Sequence, residues 1–280
     1  MIPKRQCKIT IAVPASIVAE QKGLREKTEI VGRIARSMAI FRVEEVIIYP
    51  DEPNESQLLK LLFGYAETPQ YLRKYVYKIR PELQYVGVIR PLRTPNHPLG
   101  NKISDVGIDE FREGVLLEVP GKGLRVDIGI DQMLKIVGKT PSIGSRITVK
   151  IMQTTPELQG IAAKLNEIPE YWGYQIQVTR KNLGDVVMSE VYDLAIATSR
   201  TGNSISMEYL RLQEQWTKAK NALIAFGSPR EGLREILNKE GKNLDDIFGF
   251  NLNTIPNQGC STVRTEEALQ ATLSILNLFG

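Results

Sequence analysis

Three loops near the carboxyl end of the chain combine glycines, prolines and small polar side chains in a way that suits a small-molecule site. They read TSRTG (198–202), FGSPREGL (226–233) and IPNQGCSTVRTEEA (255–268). Glycine lets a backbone approach a ligand closely, and proline restricts the conformations of the approaching chain. A pocket lined by backbone suits a flat heterocycle with hydrogen-bond donors and acceptors on its edge. Taken singly, each glycine marks only a turn, but the three loops together predict a site.

Each loop follows a predicted strand, at residues 194–199, 222–227 and 251–255. Near the amino end, apolar β-branched runs at 7–14 and 44–50 predict two more strands, with an amphipathic helix at 26–41 between them and a second helix from about residue 54. Alternation of strand and helix predicts a parallel sheet covered by helices. Because ligands bind at the carboxyl edge of such a sheet, the three loops are expected to converge on one pocket.

The middle of the chain has a different composition. Pro91, Pro95 and Pro98 form a segment that neither continues a helix nor suits a central strand. Beyond it lie four glycine-punctuated strand candidates, whose spacing predicts a small β-barrel, at 113–119, 124–130, 133–138 and 145–152. The predicted domains are therefore an α/β domain in two parts, residues 1–90 and 169–280, with an inserted barrel at residues 91–168.

Positive charge and aromatic rings are concentrated between residues 60 and 102. This segment contains eight basic and two acidic residues, although the formal net charge of the whole chain is only +4. It also holds five of the ten tyrosines. Cations interleaved with rings on which bases can stack suit nucleic acid. The alternative is a helical core stripe of tyrosines beneath a solvated basic face, and this feature alone does not decide between the two.

Several other classes of chemistry are poorly supported. Two cysteines and a single histidine, His97, are too few for a structural zinc site, a disulfide framework or a histidine-based triad. VGKT (137–140) lacks the earlier glycine of a phosphate-binding loop, and VDIG (126–129) lacks the further glycines of a Rossmann loop. No apolar run approaches the length of a membrane span, and the amino-terminal segment lacks the apolar block of a secretory signal. A cytoplasmic location, with neither membrane nor metal as a partner, is expected.

Blocks of sequence from several parts of the chain carry a resemblance to a known family. They are TPQYLRK (68–74), PLRTPNHP (91–98), VDIG (126–129), YWGY (171–174), ATSR (197–200), FGSPREGL (226–233) and VRTEEALQATLS (263–274). In this order the blocks resemble SPOUT-class RNA methyltransferases, and within them the archaeal and eukaryotic family with an OB-fold insertion. The resemblance implies a parallel-sheet α/β domain closed by a trefoil knot, an inserted OB-like β-barrel, a homodimer, and S-adenosylmethionine held in the knot.

The resemblance also assigns residues to a cofactor site by their positions in these blocks. The site would be the backbone around Thr198, Phe226, Gly227, Gly232, Ile255, Gly259 and Ser261. A shorter resemblance links Arg264, Thr265, Glu266 and Ala268 to the R-T-E-x-A element of bacterial enzymes that methylate uridine N3 of ribosomal RNA. No residue stands out as a general base. We expect Arg200 or Arg264 to stabilise the charge that develops on the base, with Glu266 as the proton acceptor.

RNA, from an unpaired region of ribosomal RNA, is the expected partner of the basic segment and the barrel. The residues expected to contact it are Arg73, Lys74, Arg90, Arg93 and His97. For His97, a loop position near RNA phosphate or solvent is favoured over catalysis. An alternative of another class is a dimeric RNA-binding or ribosome-assembly factor that binds the cofactor without transferring a methyl group. Cofactor binding followed by methyl incorporation into RNA distinguishes the two.

Overall fold

The computed structural model describes residues 2–189 and 191–280. The strands of these residues are β1 (Lys8–Pro14), β2 (Glu45–Tyr49), β3 (Phe111–Val119), β4 (Gly123–Asp127), β5 (Leu134–Val137), β6 (Arg146–Gln153), β7 (Gln159–Ala162), β8 (Gln175–Val178), β9 (Leu194–Ser204), β10 (Asn221–Ala225) and β11 (Phe250–Asn253). The α-helices are α1 (Leu24–Ile40), α2 (Ser56–Glu67), α3 (Arg73–Val76), α4 (Leu183–Val187), α5 (Ile205–Lys218), α6 (Leu233–Lys239), α7 (Leu244–Ile247) and α8 (Thr265–Leu276).

Six strands form a parallel sheet in the order β11-β9-β10-β1-β2-β8. Its three central strands, β10, β1 and β2, are almost entirely buried, as expected for short apolar runs covered by helices. All five strands that the sequence predicts for the α/β domain lie in this sheet, so the predicted parallel sheet is confirmed. The edge strand β8 was not predicted from the sequence.

Helices cover the sheet with apolar stripes. Helix α1 buries Ile30, Val31, Ile34, Ala35 and Met38 at helical spacing, and it contacts α8. A second set of buried residues joins strands β1, β2, β9 and β10 to the short helices α4, α6 and α7. This packing holds the part of the sheet that carries the three glycine-containing loops: residues 198–202 lie within β9, and the other two loops follow β10 and β11.

The other five strands form a mixed sheet that closes on itself, in the order β3-β4-β5-β7-β6 with β6 pairing back to β3. We call it the closed sheet. Its interior contains Leu116, Val126, Leu134, Val149 and Ile151. The four strands predicted for the insertion correspond to β3–β6, whereas β7 was not predicted. VGKT begins at the end of β5, where Gly138 has a φ of +89°, so this segment is a strand end entering a turn.

Residue contacts divide the chain into two compact units. One consists mainly of Glu67–Pro81 and Leu92–Gly173 and contains the closed sheet. The other consists mainly of Arg5–Ala66, Glu82–Pro91 and Tyr174–Gly280 and contains the parallel sheet. The domain boundaries drawn from the sequence stay a prediction. Among the described residues, no helix combines the length and the apolar character needed to cross a membrane.

Candidate active site

The three glycine-containing loops line one cleft at the carboxyl edge of the parallel sheet. The cleft has a volume of about 360 Å³, within the usual range of about 300–1,000 Å³ for small-molecule sites. Its lining consists of residues 198–201, 226–232, 235, 252–255, 258, 261–263, 265 and 268. The loops therefore converge, as predicted from their places after the strands that the sequence suggests at 194–199, 222–227 and 251–255.

The first loop enters the cleft because β9 leaves its ladder with β11. Ala197 pairs with Asn251, but the next pair along β11 is Leu252 with Asn203, so residues 198–202 have no partner on this strand. Gly202 makes the detour possible, since a Cβ at this position would lie 2.7 Å from the carbonyl oxygen of Asn251. Thr198–Thr201 are thereby displaced into the cleft.

Three hydrogen bonds tie the first loop to its neighbours. The Arg200 guanidinium donates to the carbonyl oxygen of Ser261 at 2.7 Å, and the Asn253 side-chain amide donates to the carbonyl oxygen of Arg200 at 2.8 Å. The Thr198 hydroxyl donates to the carbonyl oxygen of Ala225 at 2.8 Å, at the end of β10. Polar side chains thus hold the first loop against the end of β10, the end of β11 and the third loop.

The second loop is closed by a tight turn between residues 228 and 231. The Ser228 amide donates to the carbonyl oxygen of Glu231 at 2.9 Å, and the Glu231 amide donates to the Ser228 hydroxyl at 3.0 Å. A Cβ on Gly227 would lie 2.9 Å from the same carbonyl oxygen, so this turn requires glycine. At its start, the Phe226 carbonyl accepts a 2.7 Å hydrogen bond from the buried Tyr49 hydroxyl at the end of β2.

The structure brings six of the seven predicted cofactor-binding residues to the cleft. These are Thr198, Phe226, Gly227, Gly232, Ile255 and Ser261. Gly259 is not among the residues that line it. The cofactor roles of all seven residues stay a prediction.

Of the three residues predicted to act in catalysis, only Arg200 lines the cleft. Arg264 is exposed at the start of α8, where its backbone amide donates to the Glu267 carboxylate at 3.0 Å. Glu266 is buried, with 8% of its surface exposed, and does not line the cleft. The sequence interpretation missed the charged side chains of Arg230, Glu231 and Glu235, although the first two lie inside the FGSPREGL block.

The predicted RNA-contacting arginines and lysine lie at the surface to different extents. Arg73 is half-buried and donates to the Thr68 carbonyl oxygen at 3.0 Å, whereas Lys74 is exposed. The Lys74 ammonium lies 4.7 Å from the centre of the Tyr75 ring and 3.8 Å from the Asp127 carboxylate. Arg90 and Arg93 are exposed.

His97 occupies a different environment from the one expected. It is buried, with 9% exposure, and its Nε2 lies 2.6 Å from the carbonyl oxygen of Glu67. Burial lowers the pKa of His97 to about 4, so the ring is neutral near neutral pH. The RNA contact of His97 stays a prediction, and a buried neutral ring does not support it.

Several blocks that carry the family resemblance meet in a buried ionic cluster beside His97. Arg146 donates to Glu67 at 2.6 and 3.0 Å and to Glu113 at 2.7 Å. The Trp172 ring nitrogen donates to Glu113 at 2.6 Å, and the Asn96 amide donates to Glu67 at 2.8 Å. Burial raises the pKa of Glu67 to about 7 against the opposing effect of Arg146. Asn96 and Trp172 belong to the PLRTPNHP and YWGY blocks, and Arg146 also donates at 3.3 Å to the hydroxyl of Thr68 in the TPQYLRK block, so the three blocks have a structural role.

Comparison with known proteins shows the family to which the chain belongs. A family model described as "Putative RNA methyltransferase" matches residues 8–276. The chain belongs to this family. An uncharacterized protein of Halobacterium salinarum is 33% identical over 96% of this chain and 98% of its own length. The 28S rRNA (uridine-N(3))-methyltransferase of Homo sapiens is 29% identical over 96% of this chain and 77% of its own. The corresponding Drosophila melanogaster enzyme is 29% identical over 96% of this chain and 61% of its own.

Membership confirms the prediction of an RNA methyltransferase. In the described part of the chain, no group of three or more histidine, cysteine, aspartate or glutamate residues is placed to hold a metal ion. For an RNA methyltransferase, the cleft between the three loops is the natural candidate for the methyl-donor site.

Proposed function

We propose that this RNA methyltransferase transfers a methyl group from S-adenosylmethionine to N3 of a uridine in an unpaired region of ribosomal RNA. The named relatives of human and fly, which methylate uridine N3 of 28S rRNA, support this choice of acceptor. The observation that carries the proposal is the convergence of the three loops on one cleft in a chain of this family.

The cleft fits S-adenosylmethionine in size and in chemistry. Its lining includes Phe226, Gly227 and Ile255 together with the polar residues Thr198 and Ser261. Backbone amides and carbonyls can pair with the edge of an adenine ring, and the glycines permit close approach. When bound, the cofactor supplies an electrophilic methyl group on a sulfonium. The loops would hold it in line with the acceptor nitrogen, and positioning of this kind lowers a barrier by at most about 7–11 kcal/mol.

We propose that Arg200 stabilises the negative charge that forms on the uracil ring as its N3 proton leaves. Its guanidinium lies in the cleft, and the hydrogen bond to the Ser261 carbonyl orients it. Roles for Arg264 and for Glu266 as the proton acceptor remain predictions with less support, since neither side chain lines the cleft.

RNA binding is proposed for the basic segment between residues 60 and 102, through Arg73, Lys74, Arg90 and Arg93. Tyr75, 39% exposed beside Lys74, adds a ring on which a base can stack. If phosphate contacts dominate, the logarithm of the RNA affinity falls linearly with the logarithm of the salt concentration, by about 0.7 per contact on single strands. An affinity that does not change with salt would contradict this assignment.

The family resemblance also supports proposals about the fold, the oligomeric state and the location of the protein. They are a trefoil knot formed by the last strands and loops, an OB-like identity for the closed sheet, an inserted domain at residues 91–168, a homodimer and a cytoplasmic location. The five-stranded closed order of the sheet supports the OB-like identity. Light scattering after size-exclusion chromatography measures the oligomeric state.

Two measurements on the purified chain test the proposed function. Calorimetry with S-adenosylmethionine should show binding, and incubation with ribosomal RNA and labelled cofactor should yield 3-methyluridine in a nucleoside digest. Arg200→Ala should retain cofactor binding while single-turnover transfer slows by at least about tenfold, because its role lies on the acceptor side. Transfer at the wild-type rate by Arg200→Ala would reject the role of this arginine, and failure of the wild type to bind the cofactor would reject the function.

A further inference from the structure

Two acidic side chains line the cleft, and one of them has no ionic partner among the residues that the structure describes. Glu231 forms a salt bridge with Lys239, and Arg200 donates to the Ser261 carbonyl. Glu235, in the first turn of α6, lines the cleft, and the described residues offer its carboxylate neither a hydrogen bond nor a salt bridge. The neighbouring cation, Arg234, is bound through two nitrogens to Asp245 at 2.9 and 3.0 Å.

The position of this carboxylate is defined by the loop before it. One Glu235 oxygen lies 2.7 Å from the point that a Cβ on Gly232 would occupy. Gly232, itself a lining residue, therefore leaves room for the carboxylate at the wall of the cleft. Glu235 is the acidic residue of the first turn of α6, and among the described residues no hydrogen bond joins its carboxylate to the Gly232 amide.

We propose that Glu235 binds the two ribose hydroxyls of the methyl donor, an assignment that rests on the proposed function. An ionised carboxylate only accepts hydrogen bonds, and its two oxygens match two adjacent hydroxyl donors. Adjacent free hydroxyls are present on the ribose of S-adenosylmethionine. Within an RNA chain the 3′ oxygen is esterified, so an internal nucleotide presents only its 2′ hydroxyl.

The test uses calorimetry with S-adenosylhomocysteine and with its 2′,3′-dideoxyribose analogue. Glu235→Gln keeps the shape of the side chain but removes its charge, and we expect it to bind S-adenosylhomocysteine about tenfold more weakly, since hydrogen bonds to a charged group are the strong ones. The dideoxy analogue should bind the wild type and Glu235→Gln with equal affinity. The matched control is Glu214→Gln, an exposed glutamate of α5 paired with Lys218, which should bind both ligands as the wild type does.

Two results would overturn the assignment while leaving the proposed function intact. Equal loss of affinity for both ligands would show that Glu235 does not act through the hydroxyls. If Glu235→Gln binds both ligands with unchanged affinity but transfers the methyl group more slowly and with an altered pH profile, Glu235 contacts the acceptor base instead. If the wild type binds neither S-adenosylmethionine nor S-adenosylhomocysteine, the proposed function fails and the assignment fails with it. An unchanged urea midpoint shows that Glu235→Gln folds normally.

Discussion

The buried hydroxyl of Tyr49 offers a direct test of how the cleft is held open. Tyr49 is 1% exposed at the end of β2, and it donates at 2.7 Å to the carbonyl oxygen of Phe226, the first residue of the second loop. The Phe226 amide is already bound to the carbonyl oxygen of Ala12 on β1. Tyr49→Phe removes one hydroxyl and deprives the loop carbonyl of this donor. A buried polar group that loses its partner costs about 1–3 kcal/mol in the free energy of unfolding.

Part of this cost should also appear in ligand binding. In the free variant the second loop can move so that the Phe226 carbonyl reaches water, and a ligand that needs the loop in place must reverse this movement. If about 1 kcal/mol of the cost falls on binding, the dissociation constant of S-adenosylmethionine rises about fivefold. Urea unfolding measures the first effect and calorimetry measures the second.

Tyr174 provides a matched control for this substitution. It is also buried in the unit of the parallel sheet, with 4% exposure, and its hydroxyl donates to the Phe63 carbonyl oxygen at 3.0 Å. Neither residue lines the cleft. Tyr174→Phe should therefore lose similar stability while its cofactor affinity stays at the wild-type value. If Tyr49→Phe loses stability without losing affinity, or if both variants lose affinity equally, Tyr49 does not position the loop.

Three further substitutions or titrations probe other parts of the molecule. Gly227→Ala places a Cβ 2.9 Å from the Glu231 carbonyl oxygen, so the turn between residues 228 and 231 must open. Calorimetry should then show cofactor binding that is at least about tenfold weaker. Wild-type affinity would refute the close approach of the backbone at Gly227. NMR spectra should show His97, the only histidine of the sequence, as neutral down to about pH 4. Because the pKa of His97 is lower in the folded chain than the 6.5 of the unfolded chain, the free energy of unfolding should fall by about 3 kcal/mol between pH 6.5 and pH 4. A titration midpoint near 6.5 would contradict the burial of this ring. Arg146→Met leaves two buried carboxylates without their cation, so urea unfolding should show a loss of about 3–5 kcal/mol, and a loss below about 1 kcal/mol would refute the importance of this ion pair.

Local sequence patterns predicted the strands that are buried and strongly apolar. Strands β1, β2 and β10 consist of short β-branched or alanine-rich runs whose faces are both covered, which makes the pattern unambiguous. Strand β8, Gln175–Val178, alternates two exposed glutamines with half-buried isoleucine and valine, a short strand pattern that the sequence interpretation missed. Strand β7 is only four residues long and contains Gly160, where a Cβ would lie 2.6 Å from the Lys150 carbonyl oxygen.

Contacts between distant residues could not be predicted from one sequence. Glu67 and Arg146 are separated by 79 positions, and no periodicity links them. The same limit explains His97, for which the proline-rich context predicts a loop, while the contact with the Glu67 backbone that buries it is made 30 positions away. Glu235 was missed for a different reason. It lies beyond the end of the glycine-containing block, and only the turn into α6 brings its carboxylate back beside Gly232.

Two parts of the molecule therefore require particular residues, for two different physical reasons. Around Glu67, Arg146 and Glu113, side chains are fixed because a charge buried without its partner is costly, so substitutions there should act through folding. In the cleft, Gly202 and Gly227 are fixed because a backbone carbonyl occupies the space of a side chain, so substitutions there change the shape of the site. The two groups lie in different compact units of the chain. Substitution of these glycines should consequently change the cofactor affinity while the free energy of unfolding stays nearly constant. Substitution in the ionic cluster should change the free energy of unfolding whether or not a ligand is bound.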